Sequence, residues 1–152
     1  MDRRRENDME RMVDLKLEAS NDNLYTVLDA IEAHLTKCGC PASVQTEILI
    51  AVEELYINIA SYAYGDKKGE AAVQMDVIGD PGCCRVTLVD HGMPYNPLER
   101  DDPDVTLSAE ERGIGGLGIY MVKQTMDRVE YRYENGCNIL TIEKGIGPEE
   151  EL

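Results

Sequence analysis

Several residues in this sequence have types and spacings that could do chemistry. Glu54 and Asn58 stand one helical turn apart, so on a helix they share a face. The first is an acid able to take up a proton; the second carries an amide oxygen suited to a hard cation. Asp90 ends the apolar run Val86-Thr87-Leu88-Val89 and precedes Gly92 by two residues. A carboxylate at the end of a buried strand can accept a hydrogen bond from an exocyclic amine, and the glycine leaves room for a flat base. Gly113-Ile114-Gly115-Gly116-Leu117-Gly118 opens the helical segment Ile119 to Met126. Glycines at a helix start let backbone N–H groups approach a phosphate closely, and the helix N-terminus favours an anion.

Each feature also has an ordinary reading. A buried Glu and Asn can be satisfied by backbone or water, Asp-x-Gly is a common turn, and the glycine run can be a hinge. The spacing Gly113-x-Gly115-x-x-Gly118 matches the dinucleotide fingerprint, but it follows Ser108-Ala109-Glu110-Glu111-Arg112 rather than a buried strand, so that match is read as accidental. Glu53 lies about 100° round the helix from Glu54 and stays as the alternative base. His91 should point to the opposite side of the strand from Asp90 and is read as a bystander. His34, on an earlier helix, reads as an ordinary boundary histidine.

These groups require particular elements behind them. The segment Pro41 to Ala63 reads as one helix, with Glu47, Glu54, Asn58 and Ser61 within an arc of roughly 60° and apolar residues taking nearly all the rest. That predicts a buried helix with one polar stripe, and a stripe facing an apolar interior needs a partner. Before it, Val13 to Ala19 alternates as an edge strand, Ser20-Asn21-Asp22 supplies an N-cap, and Leu24, Val27, Leu28, Ile31 and Leu35 recur at helical spacing up to Gly39. After it, Ala71 to Ile78 and Cys84 to Val89 form a hairpin, and Val129 to Tyr133 with Asn138 to Glu143 form another across Glu134-Asn135-Gly136. Residues 98–112 are charged and aperiodic, as expected of a lid or binding loop. The expected fold is therefore α+β: a two-layer α/β sandwich with a mixed, mostly antiparallel sheet and three helices on one face.

The 152 residues suffice for one domain with a proper core. Residues 1–12 are expected to fray, 13–144 to form the domain, and 145–152 to be an acidic, solvated tail. A formal net charge of −15 argues against a backbone-driven grip on nucleic acid. No apolar run approaches the roughly 18 residues of a membrane span and no leader is visible, so a cytoplasmic protein is expected. The 5 cysteines are odd in number and lack paired zinc spacing, and are read as reduced packing residues.

Taken together, the motifs resemble those of the Bergerat-fold (GHKL) ATPases, which include gyrases and histidine kinases, and most closely the anti-sigma-factor serine kinases. The N box is matched by Glu54-Leu55-Tyr56-Ile57-Asn58, the first glycine box by Asp90-His91-Gly92-Met93-Pro94, and the second by Gly116-Leu117-Gly118-Ile119. The resemblance covers nearly the whole chain. It implies that Asn58 holds Mg²⁺ on the phosphates of ATP, Glu54 takes the proton of the attacking hydroxyl, and Asp90 binds the adenine amino group. Gly92 would line the base, while Gly115, Gly116 and Gly118 would let the lid and helix start close over the phosphates; Arg112, at the lid's end, would be either an extra cation for the γ-phosphate or a solvated lid charge. It implies further a serine or threonine substrate on a small anti-anti-sigma (STAS-type) antagonist protein, a sigma factor as competing partner, and a possible homodimer. Where relatives often have His immediately before Ala-Tyr, this chain has Tyr62, and Ile59 stands where they have Ala. Two other functions remain: a module that holds ATP and a partner without phosphoryl transfer, and the detached ATP-binding half of a histidine kinase.

Overall fold

The structure is a computed structural model, and it describes residues 13–79, 82–99 and 117–147. The elements are β1 (Val13–Glu18), α1 (Leu24–Lys37), α2 (Ala42–Asn58), β2 (Glu70–Ile78), β3 (Cys83–Asp90), α3 (Leu117–Thr125), β4 (Arg128–Glu134) and β5 (Cys137–Gly145). A single five-stranded sheet has the order β1-β2-β3-β5-β4. Every pairing in it is antiparallel, so the sheet lies at the antiparallel end of the expectation.

Strand alternation explains how the sheet takes its one-sided core. In β3, Cys84, Val86 and Leu88 are buried while Arg85, Thr87 and Val89 are not; in β5, Leu140 and Ile142 are buried. This inner face, with Val73 and Met75 of β2, packs against Val27, Ile31 and Leu35 of α1, Ile48, Val52 and Leu55 of α2, and Ile119 and Val122 of α3. The outer face carries Gln74, Arg85, Thr87, Thr141 and Glu143, with Arg85 Nε donating to Glu143 at 3.0 Å. Tyr56 of α2 is fully buried, and its hydroxyl reaches the Ser20 carbonyl at 2.7 Å, which ties α2 to the β1–α1 connection.

Several local expectations are corrected. The helix expected to run to Ala63 is α-helical only to Asn58, and Ile59–Ala63 form one π-turn. The helix is also less buried than its composition predicts: Ile50 is 53% exposed. Ser20 precedes a 3₁₀ turn, Asn21–Asn23, and makes no side-chain cap; its carbonyl is used instead, by the Asn23 N–H and Tyr56. At the other end, β5 runs two residues past the expected Glu143, through Gly145, and Ile146 is buried with its N–H donated to the Gly82 carbonyl at 2.9 Å. None of the cysteines is disulfide-bonded; Cys40 and Cys84 are buried, and burial pushes the Cys84 thiol up to about 12. No helix among the described residues is long and apolar enough to cross a membrane.

Candidate functional site

Asp90 is the last residue of β3, and its direct cross-strand partner on β5 is Asn138. Both lie in the inward phase of their strands, continuing the rows Val86, Leu88 and Ile142, Leu140. They are the buried acid and amide among the described residues, 3% and 4% exposed. A buried carboxylate is costly unless hydrogen-bonded. Asp90 Oδ1 accepts from the Gly92 N–H and from Asn138 Nδ2, both at 2.9 Å. Asn138 Nδ2 donates also to the Met93 carbonyl at 2.9 Å, and its Oδ1 accepts from the Tyr95 N–H at 3.1 Å and from the Tyr131 hydroxyl. Burial raises the Tyr131 hydroxyl, which keeps it protonated as the donor.

The turn that follows Asp90 is fixed at each backbone N–H. His91 donates to the Tyr64 hydroxyl at 2.8 Å, Gly92 to Asp90, Met93 to the Ala63 carbonyl at 3.0 Å, and Tyr95 to Asn138. Pro94 has none to give. Ala63 closes the π-turn, so an otherwise orphan helix-end carbonyl is satisfied by the strand-end turn. The approach is close enough to require glycine: a Cβ on Gly92 would lie 2.1 Å from that carbonyl oxygen. The side chain of His91 is exposed on the other side of the strand, with Nδ1 3.3 Å from Cys137 Sγ, as expected of a residue outside the site.

Between this turn, the end of α2 and β5 lies a cavity of about 420 Å³. Its walls are mostly apolar (Ile59, Pro94, Pro97, Leu140 and the rings of Tyr62 and Tyr95), with Asp90, Asn58 and Asn138 as polar groups. Apolar walls with a few placed polar groups fit a flat heterocycle. The bonds from Gly92 and Asn138 both go to Asp90 Oδ1, and Asp90 lines the cavity, so Oδ2 is the oxygen available to accept from a ligand. Asn58 gives its Nδ2 to the Glu54 carbonyl at 2.9 Å, which leaves its oxygen as the atom for a cation. One protein oxygen suits Mg²⁺, which keeps waters and takes its other ligands from phosphates.

The structure thus brings Asn58 and Asp90 together around one hollow, and Gly92 stands behind it, bonded to Asp90 without lining the wall itself. Glu54 is placed differently: it is absent from the cavity wall, and its carboxylate lies against the start of α3, where a Cβ on Gly118 would fall 2.0 Å from Glu54 Cδ. Glu47, counted in the same stripe, pairs instead with Lys144 at 3.6 Å. Arg112, Gly115 and Gly116, and the loop beyond Glu99, lie outside the described residues. Sequence reasoning missed Asn138 and Tyr131. The signal for Asn138 was present: it is a polar residue in the inward phase ahead of Leu140 and Ile142, as Asp90 is after Leu88.

The sequence profile of the histidine kinase-like ATPase domain matches residues 17–144. A serine-protein kinase RsbW from Bacillus cereus is 23% identical over 138 residues, covering 87% of this chain and 85% of the relative. The serine-protein kinase RsbW of Listeria monocytogenes is 29% identical over 99 residues, and the match spans 62% of either chain. Among solved structures, the RsbU and RsbW domains of a Mycobacterium tuberculosis protein superpose with a TM-score of 0.63 at 18% identity, over 90% of this chain and 33% of that one. At that identity the likeness speaks to the fold.

Proposed function

The chain belongs to the histidine kinase-like ATPase domain family, and from that premise we propose that it is an anti-sigma regulatory factor. In this reading it binds Mg-ATP and transfers a phosphoryl group to a serine or threonine of a small STAS-type antagonist protein. The observation that supports it best is Asp90: a buried carboxylate with one oxygen held by two donors, in the wall of an apolar cavity of about 420 Å³. The names of the Bacillus and Listeria relatives agree with a serine-protein kinase.

When bound, ATP supplies the transferable group and Mg²⁺ the charge that neutralises it. Asp90 Oδ2 would accept from the adenine amine, and the tethered turn at Gly92 would hold the base edge in place. Asn58 Oδ1 would be the protein's ligand to the cation. Glu54 would take the proton of the incoming hydroxyl, and Gly118 gives its carboxylate the space to stand at the start of α3. Arg112, Gly115 and Gly116 are proposed at the phosphate end, with the antagonist and a sigma factor competing for the protein's surface.

A second reading is an ATP-gated binding module that sequesters its partner without transfer. It is favoured by one observation, the absence of Glu54 from the cavity wall. Incubation with labelled Mg-ATP and candidate antagonists separates the two. Glu54→Gln should bind ATP as the wild type does and transfer about 100-fold more slowly or worse; Asn58→Ala should lose the Mg²⁺-dependent part of the affinity. Equal transfer by Glu54→Gln removes the assigned base. Tight ATP binding without transfer to any antagonist supports the module.

A further inference from the structure

The nucleotide reading leaves open what fixes the rotation of the Asp90 carboxylate so that one of its oxygens is kept for the exocyclic amine of a purine. Asn138 decides this. Its amide has two N–H donors and an oxygen with two lone pairs, and all four are engaged: Asp90 Oδ1 and the Met93 carbonyl on the nitrogen, the Tyr95 N–H and the Tyr131 hydroxyl on the oxygen.

Two of those partners cannot reverse their roles. A backbone N–H only donates and a backbone carbonyl only accepts, so Tyr95 assigns the amide oxygen and Met93 assigns the nitrogen. The flip that ordinarily leaves an Asn ambiguous is excluded by these neighbours. The nitrogen therefore faces Asp90 as a donor, and so does the N–H of Gly92 at 2.9 Å. Two donors converging on one carboxylate oxygen fix the rotation of the carboxylate and leave Oδ2 as the acceptor open to a ligand. With its own donors and acceptors used, Asn138 has nothing left for a ligand; it acts through Asp90.

Resting on the Mg-ATP reading of the same cavity, we propose that Asn138 is a positioning and specificity-determining residue. Anchored by Tyr95, Met93 and Tyr131, it fixes the rotation of the Asp90 carboxylate and so aligns the acceptor that reads the 6-amino group of a purine. The same amide joins β5 to the Gly92–Tyr95 turn, so the acceptor and the turn behind the base are set by one side chain.

The test is a cycle between residue 138 and the exocyclic amine. Affinities of wild type, Asn138→Ala and Tyr131→Phe are measured by calorimetry for Mg-ATP, for purine riboside 5′-triphosphate, which lacks the amine, and for Mg-ITP, which carries oxygen there. Wild type should prefer ATP over both by about 10-fold or more, the worth of one charge-assisted hydrogen bond. In Asn138→Ala that preference should fall to within about 3-fold, while affinity for purine riboside triphosphate moves little. Tyr131→Phe, which removes only a hydroxyl and keeps the ring, should lose part of the preference with an unchanged melting temperature, and it carries the test if Asn138→Ala does not fold. Equal loss for all three nucleotides, or a preference for ATP undiminished in both variants, overturns the proposal and leaves the nucleotide reading standing. Wild-type protein that binds none of the three overturns both.

Discussion

The contact between Glu54 and Gly118 offers the sharpest test of how the site is assembled, because it can be measured without any substrate. An alanine at 118 would place a methyl 2.0 Å from Glu54 Cδ and 2.1 and 2.4 Å from the two carboxylate oxygens. Two opposing effects follow. Alanine in place of glycine within a helix stabilises by up to about 1 kcal/mol. Against this, the carboxylate must leave, and since it is the end of a flexible chain, moving it off its rotamer costs about 0.5–1.5 kcal/mol. Gly118→Ala alone should therefore leave stability within about 1 kcal/mol of wild type.

The two effects separate in a cycle with Glu54→Ala. Once the carboxylate is gone, the new methyl has nothing to displace, and the helix gain should appear in full. Urea denaturation of the four proteins should show a coupling of about 1 kcal/mol, the double variant being more stable than the single changes add up to. Additivity within about 0.3 kcal/mol would refute the placement of Glu54 at the start of α3. Transfer adds a second readout. A displacement of about 1 Å in a reacting group can cost about 100-fold, so Gly118→Ala should lose transfer while keeping ATP affinity.

Two further outcomes follow from the structure. Gly92→Ala would set a methyl 2.1 Å from the Ala63 carbonyl oxygen and 2.6 Å from its carbon; both are backbone, so the turn must shift and lose the Met93 N–H bond. The cost should be about 2–4 kcal/mol in urea denaturation, and an unchanged midpoint would contradict the close approach. Cys84 should make stability fall at alkaline pH. Burial raises its thiol from 9.0 to about 12, so between those values the unfolded chain has lost a proton that the folded chain keeps. Unfolding then releases a proton and stability drops by up to about 1.4 kcal/mol per pH unit, with no effect below pH 9. Stability against pH for wild type and Cys84→Ala checks this: the two curves should diverge above pH 9 and run parallel below it.

What the sequence revealed and what it hid follow a physical line. Strand alternation is a local signal, so β2, β3, β4 and β5 begin and end within two residues of where the pattern puts them, and Asp90 was legible because it breaks an apolar row. The π-turn was not legible. Ile59-Ala60-Ser61-Tyr62-Ala63 contains no glycine or proline, and helical periodicity runs through it; the Met93 N–H that meets the Ala63 carbonyl comes from 30 residues away in the chain. Burial of α2 was overread for a related reason. A helix apolar nearly all round gives no sign of which apolar residue faces water, and here Ile50 does. Asn138 escaped because one polar residue at the start of a strand is common, and its meaning depends on lying opposite Asp90, a fact of register.

The polar stripe on α2 shows how one sequence feature can hold several physical roles. Its members share an arc but face different partners, because neighbours along the helix are spaced about 6 Å per four residues. Glu47 meets Lys144, whose ammonium also donates to the Thr125 carbonyl at 2.6 Å, where the exposed carbonyls at the end of α3 favour a cation. Glu54 meets the opposite end of α3 at Gly118, where the exposed N–H groups favour an anion. Asn58 reaches the cavity. Two acids of the stripe thus bracket α3, one through a lysine and one directly, in the sense its dipole prefers. The helix that carries the proposed base therefore also aligns the helix whose glycine start makes room for it. Changes at Glu47 and Lys144 should consequently act on the far end of α3 and leave the cavity around Asp90 intact, whereas changes at Asn58 act on the cavity and leave α3 in place.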